Sequence, residues 1–237
     1  MLGKVNAVEK KVWTVEDPVE ITQPGLRQMQ VNPQIGLSFA SAMRSFLRAD
    51  PDVIMVGEMR DEETAHMAVE ASLTGHLVFS TLHTNNAPET VTRLIDMGME
   101  PFSFSDALLA ILAQRLARRL CDQCKEEYEA TDSERSEFAG YLGETALSRL
   151  AGTGPLKLFR AVGWVECDIS GYGGRLPLHE LLVNNDEIRE AIQKKATTAE
   201  LRLLAEKNGM RTLLQDGVAK CLQGLTDLKQ VLAVCSR

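Results

Sequence analysis

The chain has 237 residues, 44% of them hydrophobic and 25% charged, which is enough apolar material for one large α/β domain or one domain with a smaller appendage. The net charge of −7 argues against broad electrostatic binding to DNA or RNA, and no apolar run approaches the roughly 18 residues of a membrane span. The first residues lack the pattern of a signal peptide, so the protein is expected to be soluble and intracellular, reaching a membrane only through a partner.

From the amino terminus, Lys11 to Val15 reads as a short strand ending in Glu16-Asp17-Pro18, and Arg27 to Val31 as a second strand broken by Asn32-Pro33. Ser38 opens a helix in which Phe39, Ala42, Met43, Phe46 and Leu47 share one face, and Asp50-Pro51 stops it. Val53-Ile54-Met55-Val56 is a continuous apolar run, as expected of a strand buried on both faces, and it ends in Gly57-Glu58. Asp61 to Leu73 reads as helix with Ala65, Ala68, Val69 and Ser72 turned inward, closed by Gly75. His76 to Thr81 is another strand, followed by Leu82-His83 and a helix from Glu89 to Met97. Strand and helix thus alternate from residue 11 to about 97, which predicts crossover connections and a parallel sheet. Phe104 to Leu120 reads as a long amphipathic helix, with Phe104, Leu108, Ile111, Leu112 and Leu116 on one face and Arg115, Arg118 and Arg119 near its carboxyl end. Residues 121–175 change character, with cysteines, charges and then glycines, and read as a small inserted module; from Asn184 the pattern is helical again.

In open parallel sheets, ligand chemistry gathers at the carboxyl ends of the strands. Glu16-Asp17, Gly57-Glu58 and Thr81 with His83 all fall at such ends. An apolar strand delivering an acid can order Mg²⁺ through water or polarise an attacking water, and three carboxylates at neighbouring strand ends suit a hard cation. Taken alone, Val53 to Asp61 fits an ordinary strand with a solvated acidic turn at least as well, and His83 fits a turn-fixing residue about as well as a phosphate contact. Cys121-Asp-Gln-Cys124 has metal-knuckle spacing, with free or redox thiols as the alternative. Cys221 and Cys235 read as small apolar-like residues on helical faces.

Several long motifs occur in the order found in the type II secretion and type IV pilus assembly ATPases. Thr14-Val-Glu-Asp-Pro-Val-Glu20 resembles that family's aspartate box, and Val31 to Ser41 the segment after it. Leu47 to Asp61 resembles its Walker B element, and Thr74 to Thr84 its histidine box. The likeness continues through Gln114 to Cys121 and Gly171 to Arg175 into the final helices. The resemblance implies an α/β, RecA-like parallel sheet in a hexameric ring that uses ATP and Mg²⁺ to drive secretion or pilus assembly, cytoplasmic and peripheral at the inner membrane beside platform proteins. By the same resemblance Glu58 is the catalytic acid, Glu16 and Asp17 arrange Mg²⁺ and water, and His83 contacts or senses the γ-phosphate. Thr14, Gly57 and Thr81 line the site, and Arg44, Arg48 and Arg93 are phosphate or subunit-interface contacts.

Two departures accompany the likeness. No Gly-x₄-Gly-Lys-Ser/Thr phosphate loop occurs in the 237 residues, so the sheet is expected to lack its first layer and the chain alone to hydrolyse little ATP. The family's paired Cys-x₂-Cys knuckles imply a Cys₄ zinc site, but Trp164 stands where a cysteine is expected. That leaves Cys121, Cys124 and Cys167 one ligand short, the shell to be completed by a water, Asp168 or a nearby histidine, with Trp164 filling the space by apolar contact as the alternative to bound zinc. The expected organisation is a partial RecA-like core over 1–120, a cysteine module over 121–180 and a helical subdomain over 181–237. Two other readings compete: a non-catalytic ring or partner-binding module, and a zinc-knuckle module with a protein or nucleic-acid target, against which the net charge and the broken knuckle both count.

Overall fold

A computed structural model describes residues 2–152 and 154–235. In chain order the first elements are α1 (Leu2–Val5), β1 (Val12–Glu16), β2 (Leu26–Gln30), α2 (Phe39–Phe46), β3 (Val53–Val56), α3 (Glu62–Leu73), β4 (Leu77–Ser80), α4 (Ala87–Asp96) and α5 (Pro101–Ala107). They are followed by β5 (Ala110–Leu120), β6 (Glu126–Glu129), α6 (Asp132–Leu142), α7 (Glu144–Ala151), β7 (Lys157–Arg160) and β8 (Tyr172–Val183). Four helices complete the chain: α8 (Asp186–Gln193), α9 (Thr198–Lys207), α10 (Leu213–Leu222) and α11 (Leu228–Cys235). Contacts divide the chain into two compact units, one of Met1–Thr84, Pro88–Leu109 and Asn184–Arg202, the other of Asn85–Ala87, Ala110–Val183 and Leu203–Arg237.

The first unit carries a four-stranded sheet in the order β2-β1-β3-β4, parallel throughout. This is the parallel sheet that the alternating pattern predicts, and β1 and β3 are almost wholly buried. Val15 pairs with Val56, and Val56 with Ser80, so the carboxyl ends of three strands lie level. One apolar cluster joins Val15, Ile54 and Val56 of the sheet to Phe39, Ala42, Met43 and Phe46 of α2 and Ala71 of α3. Ser38 caps α2 by accepting from Ser41 N–H, and Asp61 caps α3 by accepting from Thr64 N–H at 2.8 Å. Helix α3 buries small residues, Thr64, Ala65, Ala68 and Ala71, while Val69 and Ser72 are half-buried.

The second unit overturns one expectation. The span Phe104–Leu120 is not one helix: α5 ends at Ala107, Leu108 is extended, and 110–120 is a strand paired antiparallel with β8 from Ala110↔Val183 to Leu120↔Tyr172. The residues of β5 are good helix formers, but pairing along almost the whole strand outweighs propensities of a few tenths of a kcal/mol per residue. Exposure alternates along it, with Leu112 and Leu116 on the open face. The arginines therefore do not cap a helix; Arg118 lies over the Tyr172 ring and Arg119 pairs with Asp122.

Residues 121–180 are folded into this unit. Phe138, Leu147, Leu156 and Leu158 share one core with Ala117 of β5, Leu178 of β8, Leu213, Val218 and Cys221 of α10, and Val231 of α11. The span 181–237 is helical after β8 as expected, yet its residues are distributed over both units. Glu180, only 2% exposed, accepts from the backbone N–H of Ala87 at 2.7 Å and of Leu213 at 3.2 Å, which satisfies a buried carboxylate.

Two tyrosines of this unit set an alkaline limit. Burial and a hydrogen bond to Glu134 push Tyr128 up to about 12, and burial with a hydrogen bond to Asp227 does the same to Tyr172. A folded-state pKa raised above the ordinary value of about 10 means that these phenols stabilise the fold fully below pH 10 and lose that contribution as the pH rises to about 12. An ultraviolet titration should show little tyrosinate from either ring near pH 10 in the folded protein. Tyr128→Phe and Tyr172→Phe should each flatten the fall in stability between about pH 10 and 12, as measured by urea denaturation.

Candidate functional site

The residues expected at the strand ends meet around Glu58. The approach of β3 to β1 puts Gly57 N–H 2.7 Å from Val15 O; a Cβ on Gly57 would lie 3.1 Å from that oxygen and 3.2 Å from Glu16 Cα. Only glycine fits this backbone contact without displacement. On the other side, Thr81 donates its hydroxyl to Gly57 O at 2.6 Å, and Met59 N–H donates to Thr81 O, which ties the end of β4 to the same turn.

Glu58 follows directly, its side chain 15% exposed. One carboxylate oxygen accepts from Arg60 Nε at 2.6 Å and the other lies 2.9 Å from His83 Nε2. A carboxylate only accepts, so His83 donates through Nε2. The ring itself is 88% exposed and free to face a ligand. The Arg60 guanidinium also reaches Asp17 at 4.0 Å, so one cation spans the acids of two strands. Glu16 is held on its own side by the hydroxyl of fully buried Thr14 and by Gln28 Nε2 at 3.0 Å.

Glu16, Asp17, Gly57, Glu58, Thr81 and His83 therefore share one end of the sheet, as expected. Arg44 is engaged elsewhere, in an ion pair with Glu63 at 2.7 Å. Arg93 is exposed on α4 and contacts none of Glu58, Asp17 and His83. Arg60 and Gln28 were not singled out in the sequence; an arginine two residues beyond the strand-end acid was the available signal.

Among the described residues, Glu16, Asp17 and Glu58 do not form a tight carboxylate cage, since the three cysteines alone bring their ligand atoms within 4.8 Å of one another. This spread fits Mg²⁺, which usually keeps several waters and takes one or two carboxylates plus substrate phosphates. The cysteine cluster is compact: Sγ of Cys124 and Cys167 are 3.8 Å apart. Burial pushes the Cys124 thiol up, and the Trp164 N–H pulls the Cys167 thiol down. The loop that presents Cys167 requires Gly163, where φ is +97° and a Cβ would stand 2.4 Å from Ile169 O. Trp164 is 41% exposed.

A four-stranded parallel sheet with acids, a histidine and a hydroxyl at one end of its strands defines an α/β domain, and its likeness to known proteins is specific. The family described as Type II/IV secretion system protein matches residues 1–233, and the chain belongs to that family. It is 49% identical over 233 residues to the type IV pilus assembly ATPase PilB of Thermus thermophilus, covering 98% of this chain and 25% of that protein. It is 47% identical over 235 residues to the type II secretion system ATPase E of Vibrio cholerae, covering 98% of this chain and 44% of that one. A solved structure of the pilus retraction motor PilT with bound ADP superposes with a TM-score of 0.68 at 29% identity, over 99% of this chain and 55% of that one. The chain spans less than half the length of these two curated relatives.

The Gly57 contact generates a direct test. Gly57→Ala forces a methyl against backbone that cannot yield cheaply, and should cost about 1–3 kcal/mol of stability. Urea denaturation followed by circular dichroism will measure it, and a loss below about 0.5 kcal/mol would mean that β1 and β3 separate more readily than their contact implies.

Proposed function

We propose that this chain supplies the catalytic-acid half of an ATPase that powers protein secretion or pilus assembly, with Glu58 as its acid. The observation that carries the reading is the Glu58 carboxylate, pinned by Arg60 and His83 at the shared end of β1, β3 and β4. Family membership supports it, as does the naming of the two relatives as ATPases.

In this reading Glu58 accepts a hydrogen bond from the attacking water and aims it, while Arg60 and His83 fix the orientation of the carboxylate. Asp17 and Glu16 hold the hydration shell of a cation. Mg²⁺, when bound, neutralises charge on the phosphoryl oxygens. His83, exposed and hydrogen-bonded to the acid, links the state of the γ-phosphate to Glu58. The work is positioning and electrostatics, which dominate phosphoryl transfer.

The 237 residues contain no Gly-x₄-Gly-Lys-Ser/Thr, so the phosphates are held by another segment or subunit and the chain alone turns over little ATP. The assembled motor is a hexamer, cytoplasmic and peripheral at the inner membrane, acting with membrane platform proteins; no described helix is long and apolar enough to cross a membrane. Arg44, Arg48 and Arg93 remain proposed interface or phosphate contacts.

The test compares Mg-ATP hydrolysis by the chain alone with hydrolysis by the chain fused behind a segment that carries a Gly-x₄-Gly-Lys-Ser/Thr phosphate loop. The chain alone should stay at background. The fusion should turn over ATP, and Glu58→Gln in it should lower the rate by about 10²–10⁴-fold. A fusion equally active with glutamine at position 58 would remove Glu58 from the chemistry. Turnover by the chain alone that Glu58→Gln abolishes would show that the phosphates are held within these residues.

A further inference from the structure

The two loops of the cysteine cluster are built on the same turn. In the first, Cys124 N–H donates to Cys121 O at 3.4 Å. In the second, Cys167 N–H donates to Trp164 O at 3.2 Å. Trp164-Val-Glu-Cys167 therefore repeats the spacing and the turn of Cys121-Asp-Gln-Cys124, with tryptophan at the position that Cys121 occupies in the first loop.

The spacing of the sulfurs is that of a metal site. With a Zn–S bond of about 2.3 Å, the edge of a thiolate tetrahedron is about 3.8 Å. Cys124 and Cys167 stand 3.8 Å apart, while a disulfide requires about 2.05 Å. The Trp164 N–H donates to Cys167 Sγ at 3.3 Å, an outer contact that favours a thiolate ligand. Among the described residues, no histidine, aspartate or glutamate joins the three sulfurs within 4.8 Å. Cys121 and Cys124 keep partial solvent exposure, and Trp164 is 41% exposed.

We propose that Cys121, Cys124 and Cys167 hold one Zn²⁺ as three thiolates, with the fourth position open to water or to an exogenous nitrogen or sulfur ligand. Binding releases the thiol protons of the three cysteines, and the centre carries a net charge of −1 with water as the fourth ligand. Closed structural zinc has four protein ligands, whereas an open position marks a centre whose metal exchanges and takes added ligands. The site stands independently of the ATPase reading.

The reduced chain, loaded with Co²⁺ as a spectroscopic stand-in, tests this. After gel filtration the wild type should retain about one equivalent and show thiolate-to-cobalt charge transfer with tetrahedral d–d bands. Added imidazole should shift the d–d bands without releasing the metal. Trp164→Cys should supply the fourth thiolate and make the bands insensitive to imidazole, and Cys167→Ser should weaken zinc binding by more than about tenfold. X-ray absorption on the zinc-loaded wild type needs no variant and should give three sulfur neighbours and one light atom. No retained metal, four sulfur neighbours, or a wild-type spectrum unmoved by imidazole would each overturn the open site.

Discussion

The geometry at the carboxyl end of the sheet depends on how closely β3 passes β1. Gly57 makes that approach by having no side chain, and its N–H bond to Val15 O extends the parallel ladder one residue beyond β3. Glu58 then emerges beside Asp17, and the Thr81 hydroxyl locks the third strand end to the Gly57 carbonyl. A residue with a Cβ at position 57 would push the strands apart where the acids must meet. The order β2-β1-β3-β4 places β1 and β3 at the centre, flanked on both sides, so the contact is held by the whole sheet.

Glu58 is more protected than its neighbours: 15% of its side chain is exposed, against 43% for Asp17. A half-buried carboxylate needs donors, and Arg60 and His83 supply one to each oxygen. The arrangement limits the rotamers of the acid, while the two donors are both more than half exposed. Arg60 compensates Glu58 and Asp17 together, so two acids stand at adjacent strand ends without meeting as bare like charges.

Much of the first unit was legible because its signals are local. The apolar run Val53–Val56, the Ser38 and Asp61 caps, and the Phe39, Ala42, Met43, Phe46 stripe each lie within a few residues and agree with the final packing. The strand β5 was not legible, since Ala, Leu, Gln and Arg favour helix and their apolar spacing imitates a helical face. What decides the conformation is β8, about 60 residues later in sequence, paired along nearly its whole length. The same distance hid the sharing of one core between residues 121–180 and the helices α10 and α11. Arg60 was missed for a different reason: its role is set by which strand end lies beside it, and that is a property of sheet order.

The cysteine loops show the limit of motif reading from the other direction. The spacing gave the first knuckle, the family resemblance implied a second with Trp164 in place of a cysteine, and whether Trp164 had replaced a ligand by packing stayed open. The second loop keeps the turn of the first, keeps a backbone N–H aimed at the Cys167 sulfur, and leaves the indole 41% exposed. Gly163, with its positive φ and close approach to the Ile169 carbonyl, lies in the loop that carries Cys167 beside Cys124. The second loop thus repeats the turn of the first with Trp164 where the first has Cys121, and the three sulfurs lie within 4.8 Å of one another.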